Sequence, residues 1–285
     1  MKLIPLILYK TIFFFDKFIK FTLKKSILGW FKDFLHKDSY KKIRILEKDI
    51  SFFIPNRLTE WRVDTFFSKE PETLEWINNF SENNKFIFWD IGANIGLYSI
   101  YNALKNKNST TFSFEPSSSN LRVLSRNVSI NGLENNIKII TLPLSDSPNK
   151  FFTLNENEFI EGGGLNTFKE NYNFEGKAFI TDSKYSLLGT SIDFLLENKI
   201  LDFPDYIKID VDGIEHLILK GAMKFLSNKK IKSLSIEINE NFKEQYDLTM
   251  RIMQDNGFRL LHKKNSNQLL KAKKFEYTFN FIFVR

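Results

Sequence analysis

The stretch Phe86-Ile87-Phe88-Trp89-Asp90-Ile91-Gly92-Ala93-Asn94-Ile95-Gly96-Leu97 constrains this chain more than any other. Phe86 to Trp89 read as a buried strand, Asp90 stands at its C-terminal end, and an apolar run to Leu104 reads as a helix. Strand, tight loop and helix in that order belong to an α/β fold. Gly92 and Gly96 let the backbone turn sharply and let a ligand approach without a Cβ in the way. The first turn of the helix offers free N–H groups to an anion, and Asp90 can accept hydrogen bonds from an ammonium or hydroxyl. A dinucleotide loop needs a glycine where Asn94 stands, so the pattern here, D-x-G-x-N-x-G, is a different one.

Downstream, Thr110 to Phe114 form a second strand that ends in Glu115-Pro116. Proline stops the ladder and fixes the acid at the strand's C-terminal edge. Ligands of open α/β sheets lie beyond those edges, where Glu115 can accept both hydroxyls of a ribose. Residues 120–131 predict a helix ended by Gly132, and 137–141 a third strand running into Pro143, Leu144, Ser145 and Asp146, placed to flank an adenine. A helix over 191–198 leads to a fourth strand, 206–210, with Asp210, Asp212, Glu215 and His216 clustered at its end. A fifth strand, 231–238, carries Glu237 near its end, and a helix and hairpin close the chain. Between 150 and 190 the pattern is less regular, and Gly162-Gly163-Gly164 reads equally as a closing loop or a surface turn.

Charge divides the chain differently. Of the net +7, residues 1–42 hold ten lysines against Asp16, Asp33 and Asp38, which leaves the remainder neutral. A neutral body with a basic arm argues against a nucleic-acid partner, which would need basic charge on the binding face. Over residues 1–36 Lys10, Lys17, Lys20 and Lys24 share one side of a predicted amphipathic helix, with Ile4, Leu8, Ile12, Phe15 and Ile19 opposite. Charges interrupt any run long enough to span a bilayer, which leaves peripheral membrane contact or docking on the body. Residues 43–84 read as a β and helical cap: β-like runs over 43–65, then a helix opened by Pro71 with Leu74 and Ile77 inward. The chain thus divides into 1–42, 43–84 and 85–285. With no cysteine and only three scattered histidines it suits a reducing compartment such as the cytoplasm, with or without contact with the membrane's inner face.

The residues Lys69-Glu70-Pro71-Glu72-Thr73, Asp90 to Gly96, Phe114-Glu115-Pro116 with Asn120, Asn127 and Asn131, Leu144-Ser145-Asp146, and Lys208 to Glu215 with Leu219 to Ala222 occur in an order that resembles the FkbM family of methyltransferases. The resemblance spans about residues 66–240. It implies a Rossmann-like class I methyltransferase fold, with a seven-stranded, mostly parallel sheet whose last strand is antiparallel. It also implies S-adenosylmethionine as cofactor, held by Asp90, Gly92, Ala93, Asn94, Gly96, Glu115, Pro116, Ser145 and Asp146, and O-methylation of a glycan or small-molecule acceptor. A hydroxyl acceptor must lose a proton, and Asp210, Glu215, His216 and Glu237 are the candidate bases, with Asp210 and Glu215 favoured. Such carboxylates can hold Mg²⁺, but helix capping and ion pairing explain them as well, and no metal is assigned. Methyltransferases acting on a base amine commonly carry proline and an aromatic after the fourth strand, where this chain has Val211-Asp212-Gly213. The competing expectations are an inactive membrane-associated binding module of the same fold and, third, a nicotinamide dehydrogenase.

Overall fold

The computed structural model describes residues 3–81, 85–178, 181–265 and 273–285. Helices α1 (Leu3–Leu23) and α2 (Leu28–Lys37) lead into a hairpin, β1 (Tyr40–Ile45) and β2 (Lys48–Phe53), and three short helices, α3 (Arg57–Asp64), α4 (Phe66–Lys69) and α5 (Pro71–Asn78). Then come β3 (Ile87–Ile91), α6 (Leu97–Lys105), β4 (Thr110–Phe114), α7 (Ser118–Ile130) and β5 (Ile137–Ile140). Strands β6 (Lys150–Glu156), β7 (Thr167–Phe168) and β8 (Ser183–Gly189) make a separate small sheet. The chain continues through α8 (Ile192–Glu197), β9 (Tyr206–Ile209), α9 (Glu215–Lys220), β10 (Ser233–Asn239), α10 (Lys243–Asp255), β11 (Arg259–Lys264) and β12 (Thr278–Val284). The expected boundary at residue 84 lies outside the described residues.

The main sheet has seven strands in the order β11-β12-β10-β9-β3-β4-β5. Strands β3, β4, β5, β9 and β10 run parallel, and the last strand, β12, is antiparallel to both its neighbours. This is the sheet that the sequence implies. Its strands are continuous apolar runs because both faces are covered. On one face Phe88, Tyr206 and Ile282 pack with Ile77, Ile100 and Leu124; on the other Trp89, Ile207 and Phe283 pack with Leu195, Ile218 and Met253. Register brings three polar side chains together on one of these faces: Asp90 lies opposite Ser113 of β4 and Lys208 of β9.

The cap joins the body through the asparagines of α7. Phe53 N–H donates to Asn127 Oδ1 at 2.8 Å and Ser51 N–H to Asn131 Oδ1 at 3.0 Å, while Asn127 Nδ2 donates to the Ile95 carbonyl at 2.9 Å. In the cap one expectation is corrected. Residues 57–64, read as part of the β-like runs, are helical, because Asn56 caps them and closes a reciprocal box with Thr59.

The single helix expected over 1–36 is two. Buried Asp16 accepts hydrogen bonds from Ser26 Oγ at 2.7 Å and from the N–H groups of Ile27 at 2.7 Å and Leu28 at 3.0 Å, tying the start of α2 to the middle of α1. Ile12 and Ile19 are half-buried beside Asp16, whereas Ile4, Leu8 and Phe15, expected on the same face, are exposed. At the far end of α2, His36 meets Arg126 at 2.8 Å and lies against the Phe53 ring. Among the described residues no helix is long and apolar enough to cross a membrane.

Candidate active site

The loop after β3 is built by backbone contacts. Gly92 and Ala93 donate their N–H groups to the Phe114 carbonyl at 3.0 and 2.9 Å, and Asn94 adopts a left-handed φ of +51°. Gly92 has φ +86°, and a Cβ there would stand 1.8 Å from the carbonyl oxygen of Asp210. A Cβ on Gly96 would meet Leu124 Cδ1 at 2.5 Å. Both glycines are therefore required by the protein's own packing, whatever ligand approaches them.

Three chambers meet at Gly92, Asn94 and Asp210. The first, of about 620 Å³, runs past Glu115 and Pro116 to an apolar end formed by Pro143, Leu144 and Ile218. The second, of about 430 Å³, lies between the loop and the cap and is lined by Arg62, Lys69, Tyr98 and Lys208. The third, of about 1120 Å³, reaches Trp61, Glu158, Asp212, Glu237 and Phe275.

Glu115 accepts the N–H of Ser117 at 2.9 Å and of Asn94 at 2.8 Å, one on each oxygen, and the Asn120 amide also reaches it. Burial pushes its carboxyl up to about 7. Asp90, expected at the ligand's amino end, instead faces helix α6, as its register dictates. It is fully buried and accepts from Ser99 Oγ at 2.5 Å, its other oxygen has no partner among the described residues, and it lines none of these chambers. Ser145 and Asp146 also lie outside them: Ser145 Oγ bonds within its own turn, and Asp146 pairs with Lys169 at 2.6 Å.

The glycine triplet is a strap over the junction. Gly163 O accepts from Asn94 Nδ2 at 2.7 Å and Asn120 Nδ2 at 3.0 Å; Gly162 donates to Asn120 Oδ1 at 2.8 Å and accepts from Arg62 Nε at 2.5 Å. Leu165 N–H donates to Asp212 at 2.7 Å.

Of the four candidate bases, Asp210 and Glu237 reach the third chamber. Glu215 does not: it accepts the N–H groups of Val211 and Gly213 and the Gln245 amide, and so shapes the turn after β9. His216 is buried against Phe242 with neither ring nitrogen partnered among the described residues, and burial lowers its pKa to about 4. Carboxylate oxygens of Glu70, Asp210 and Glu237 lie within 4.8 Å of one another. Glu70 is paired with Lys69 and accepts from Tyr98 Oη at 2.9 Å, while Lys208 Nζ meets Asp210 at 2.5 Å. Burial opposes ionisation of Asp210, but Lys208 and Lys69 hold it below the usual carboxylate range. Burial and the Asp210 charge push Glu237 well up and Asp212 to about 6. Like charges so close cannot all ionise: against burial, Lys69 draws Glu70 down and Lys208 draws Asp210 down, while Glu237 is pushed up.

Residues 90–260, well over half of the chain, match the methyltransferase FkbM domain. The chain belongs to the FkbM methyltransferase family. It is 30% identical over 162 residues to methyltransferase sdnD of Sordaria araneosa, a match that spans 49% of this chain and 61% of that protein. Similar solved structures include the Methanococcus jannaschii fibrillarin pre-rRNA processing protein, with TM-score 0.46, 14% identity and coverage of 86% of this chain and 82% of that one. Another is M. capricolum TrmK bound to S-adenosylhomocysteine, with TM-score 0.40, 14% identity, 74% of this chain and 66% of that one.

S-adenosylmethionine is accordingly the methyl donor of this FkbM protein. The first chamber could hold its adenosine: Glu115 lines it and would accept from a ribose hydroxyl, and the apolar end around Pro143 and Ile218 would suit the base. Asn94 Oδ1, buried at the junction and without a partner among the described residues, can accept from an ammonium. The bound donor supplies an electrophilic methyl group on a sulfonium. Arg62, Tyr98 and the pairing of Lys208 with Asp210 were not legible as site residues in the sequence. Lys69 and Glu70 gave one signal, the short charged run before Pro71.

Proposed function

We propose that this FkbM enzyme methylates a hydroxyl, on a sugar of a surface glycan or on a small natural product. The observation that carries the reading is Glu237, a carboxylate with no hydrogen-bond partner among the described residues, beside a lysine-paired Asp210 in a chamber that adjoins the donor site. A hydroxyl needs a base, and a carboxyl with a raised pKa is a strong one once ionised. Glu237 accepts the hydroxyl proton as that oxygen attacks; Asp210, kept ionised by Lys208, orients it. Trp61, which is 44% exposed, and Phe275 give apolar walls above this acidic floor, a mixture that suits a ring with hydroxyls on its edge. Mass spectrometry of glycans and metabolites from a deletion strain tests the reading. A species one methylene lighter, restored by the gene, is expected; sugars and small molecules unchanged in both fractions would end it.

We also propose that α1 and α2 rest on an anionic membrane surface. Leu3, Ile4, Leu8, Phe14, Phe18, Phe21 and Trp30 are all more than half exposed, and all of the chain's net charge lies in residues 1–42. Lysines near such a surface contribute roughly 1 kcal/mol each, and buried apolar area adds to this. The full chain should float with anionic liposomes, less at high salt, and a variant starting at Lys41 should not. Flotation indifferent to lipid charge would refute the anionic surface.

A further inference from the structure

We propose that Arg62 and Lys69, which lie in the cap and outside the span that matches the FkbM domain, form a subsite for the carboxylate at the amino-acid end of the methyl donor. The inference rests on the donor assignment above.

The second chamber shares Gly92, Asn94 and Asp210 with the adenosine chamber, so a ligand whose ribose sits on Glu115 can reach toward it. Its cations are not equally engaged. Arg62, Lys69 and Lys208 face it, against Asp210 and the Glu70 that takes Lys69. Arg62 makes no ion pair among the described residues; its Nε is spent on the Gly162 carbonyl, and the rest of its fork has no partner. Lys69 and Lys208 are thus paired, and Arg62 is the cation of this chamber whose guanidinium keeps donors for a ligand. An amino acid brings a carboxylate for the cations and an ammonium for Asn94 Oδ1 and Asp210, so both its charges find opposite partners within one chamber. The acceptor also passes near, because Arg62 and Lys69 line the third chamber as well. The test must therefore separate donor from acceptor.

Calorimetry without acceptor does so, using S-adenosylhomocysteine and 5′-methylthioadenosine, which lacks the amino-acid end. Arg62→Gln should weaken binding of the first by about 10–100-fold, the worth of a charge-assisted hydrogen bond, and of the second by no more than the loosened strap costs. Arg62→Lys should recover most of the difference. Glu115→Gln should weaken both probes alike, because both carry the ribose. The unaltered protein gives a measurement free of folding effects: decarboxylated S-adenosylmethionine should bind at least tenfold more weakly than S-adenosylmethionine. Equal affinity for that pair, or an Arg62→Gln loss shared equally by both probes, overturns the subsite and leaves the donor assignment standing. Failure of the unaltered protein to bind either probe overturns both.

Discussion

Glu237→Gln is expected to lower kcat by about 10²–10⁴-fold, the usual worth of a general base, while affinity for S-adenosylhomocysteine stays within threefold. Glutamine keeps the size and one acceptor oxygen but cannot take the proton. The sign of the pH dependence follows from the raised pKa of Glu237. Turnover of the unaltered enzyme should climb as pH rises and the carboxyl ionises, and the residual turnover of the variant should lose that slope. A variant with kcat within threefold of the parent would remove Glu237 from proton transfer. Asp210→Asn tests a different property, since it leaves Lys208 buried without its partner, a change that destabilises as well as slows.

Gly92→Ala should destabilise the fold by about 2–5 kcal/mol. A left-handed residue with a Cβ costs about 1–2 kcal/mol, and overpacking adds about 1–3 kcal/mol, here against the Asp210 backbone rather than a side chain that could swing away. Gly132 is the control: its φ is +63°, but a Cβ there meets nothing within 4 Å. Gly132→Ala should therefore cost only the backbone part. Chemical denaturation of both variants measures the difference, and equal midpoints would show that the β9 backbone yields without cost.

Much of the body was legible because each element carries its own period or stop signal. The helix read over 120–131 is observed as Ser118–Ile130, and the strand read over 206–210 as Tyr206–Ile209. Asn120 and Asn127 of α7 and Asn131 just after it were visible as a pattern, but not their partners, because Ser51, Phe53 and Gly162 are remote in sequence. Site residues divide along the same line. Glu115 was readable from a strand end followed by proline. The inward turn of Asp90 was not, since it depends on which face of β3 meets Ser99. Glu215 and His216 follow the strand's end by several residues, and only the path of the chain after Gly213 shows that they turn away from the cleft. The cap residues were the hardest, because nothing local to residues 57–70 says that a chamber lies above the loop.

The strap that carries Gly162 and Gly163 bonds to α7, to the loop after β3, to α3 and to the turn after β9. Its bonds therefore depend on all four being in place. Its hold is polar: the residue at its crest with the largest apolar side chain, Phe159, is 59% exposed. Local opening therefore breaks a few hydrogen bonds without exposing a core, which places the strap at the low end of the molecule's range of opening free energies. Spent cofactor can leave on that local timescale, while the seven-stranded sheet beneath stays shut to hydrogen exchange.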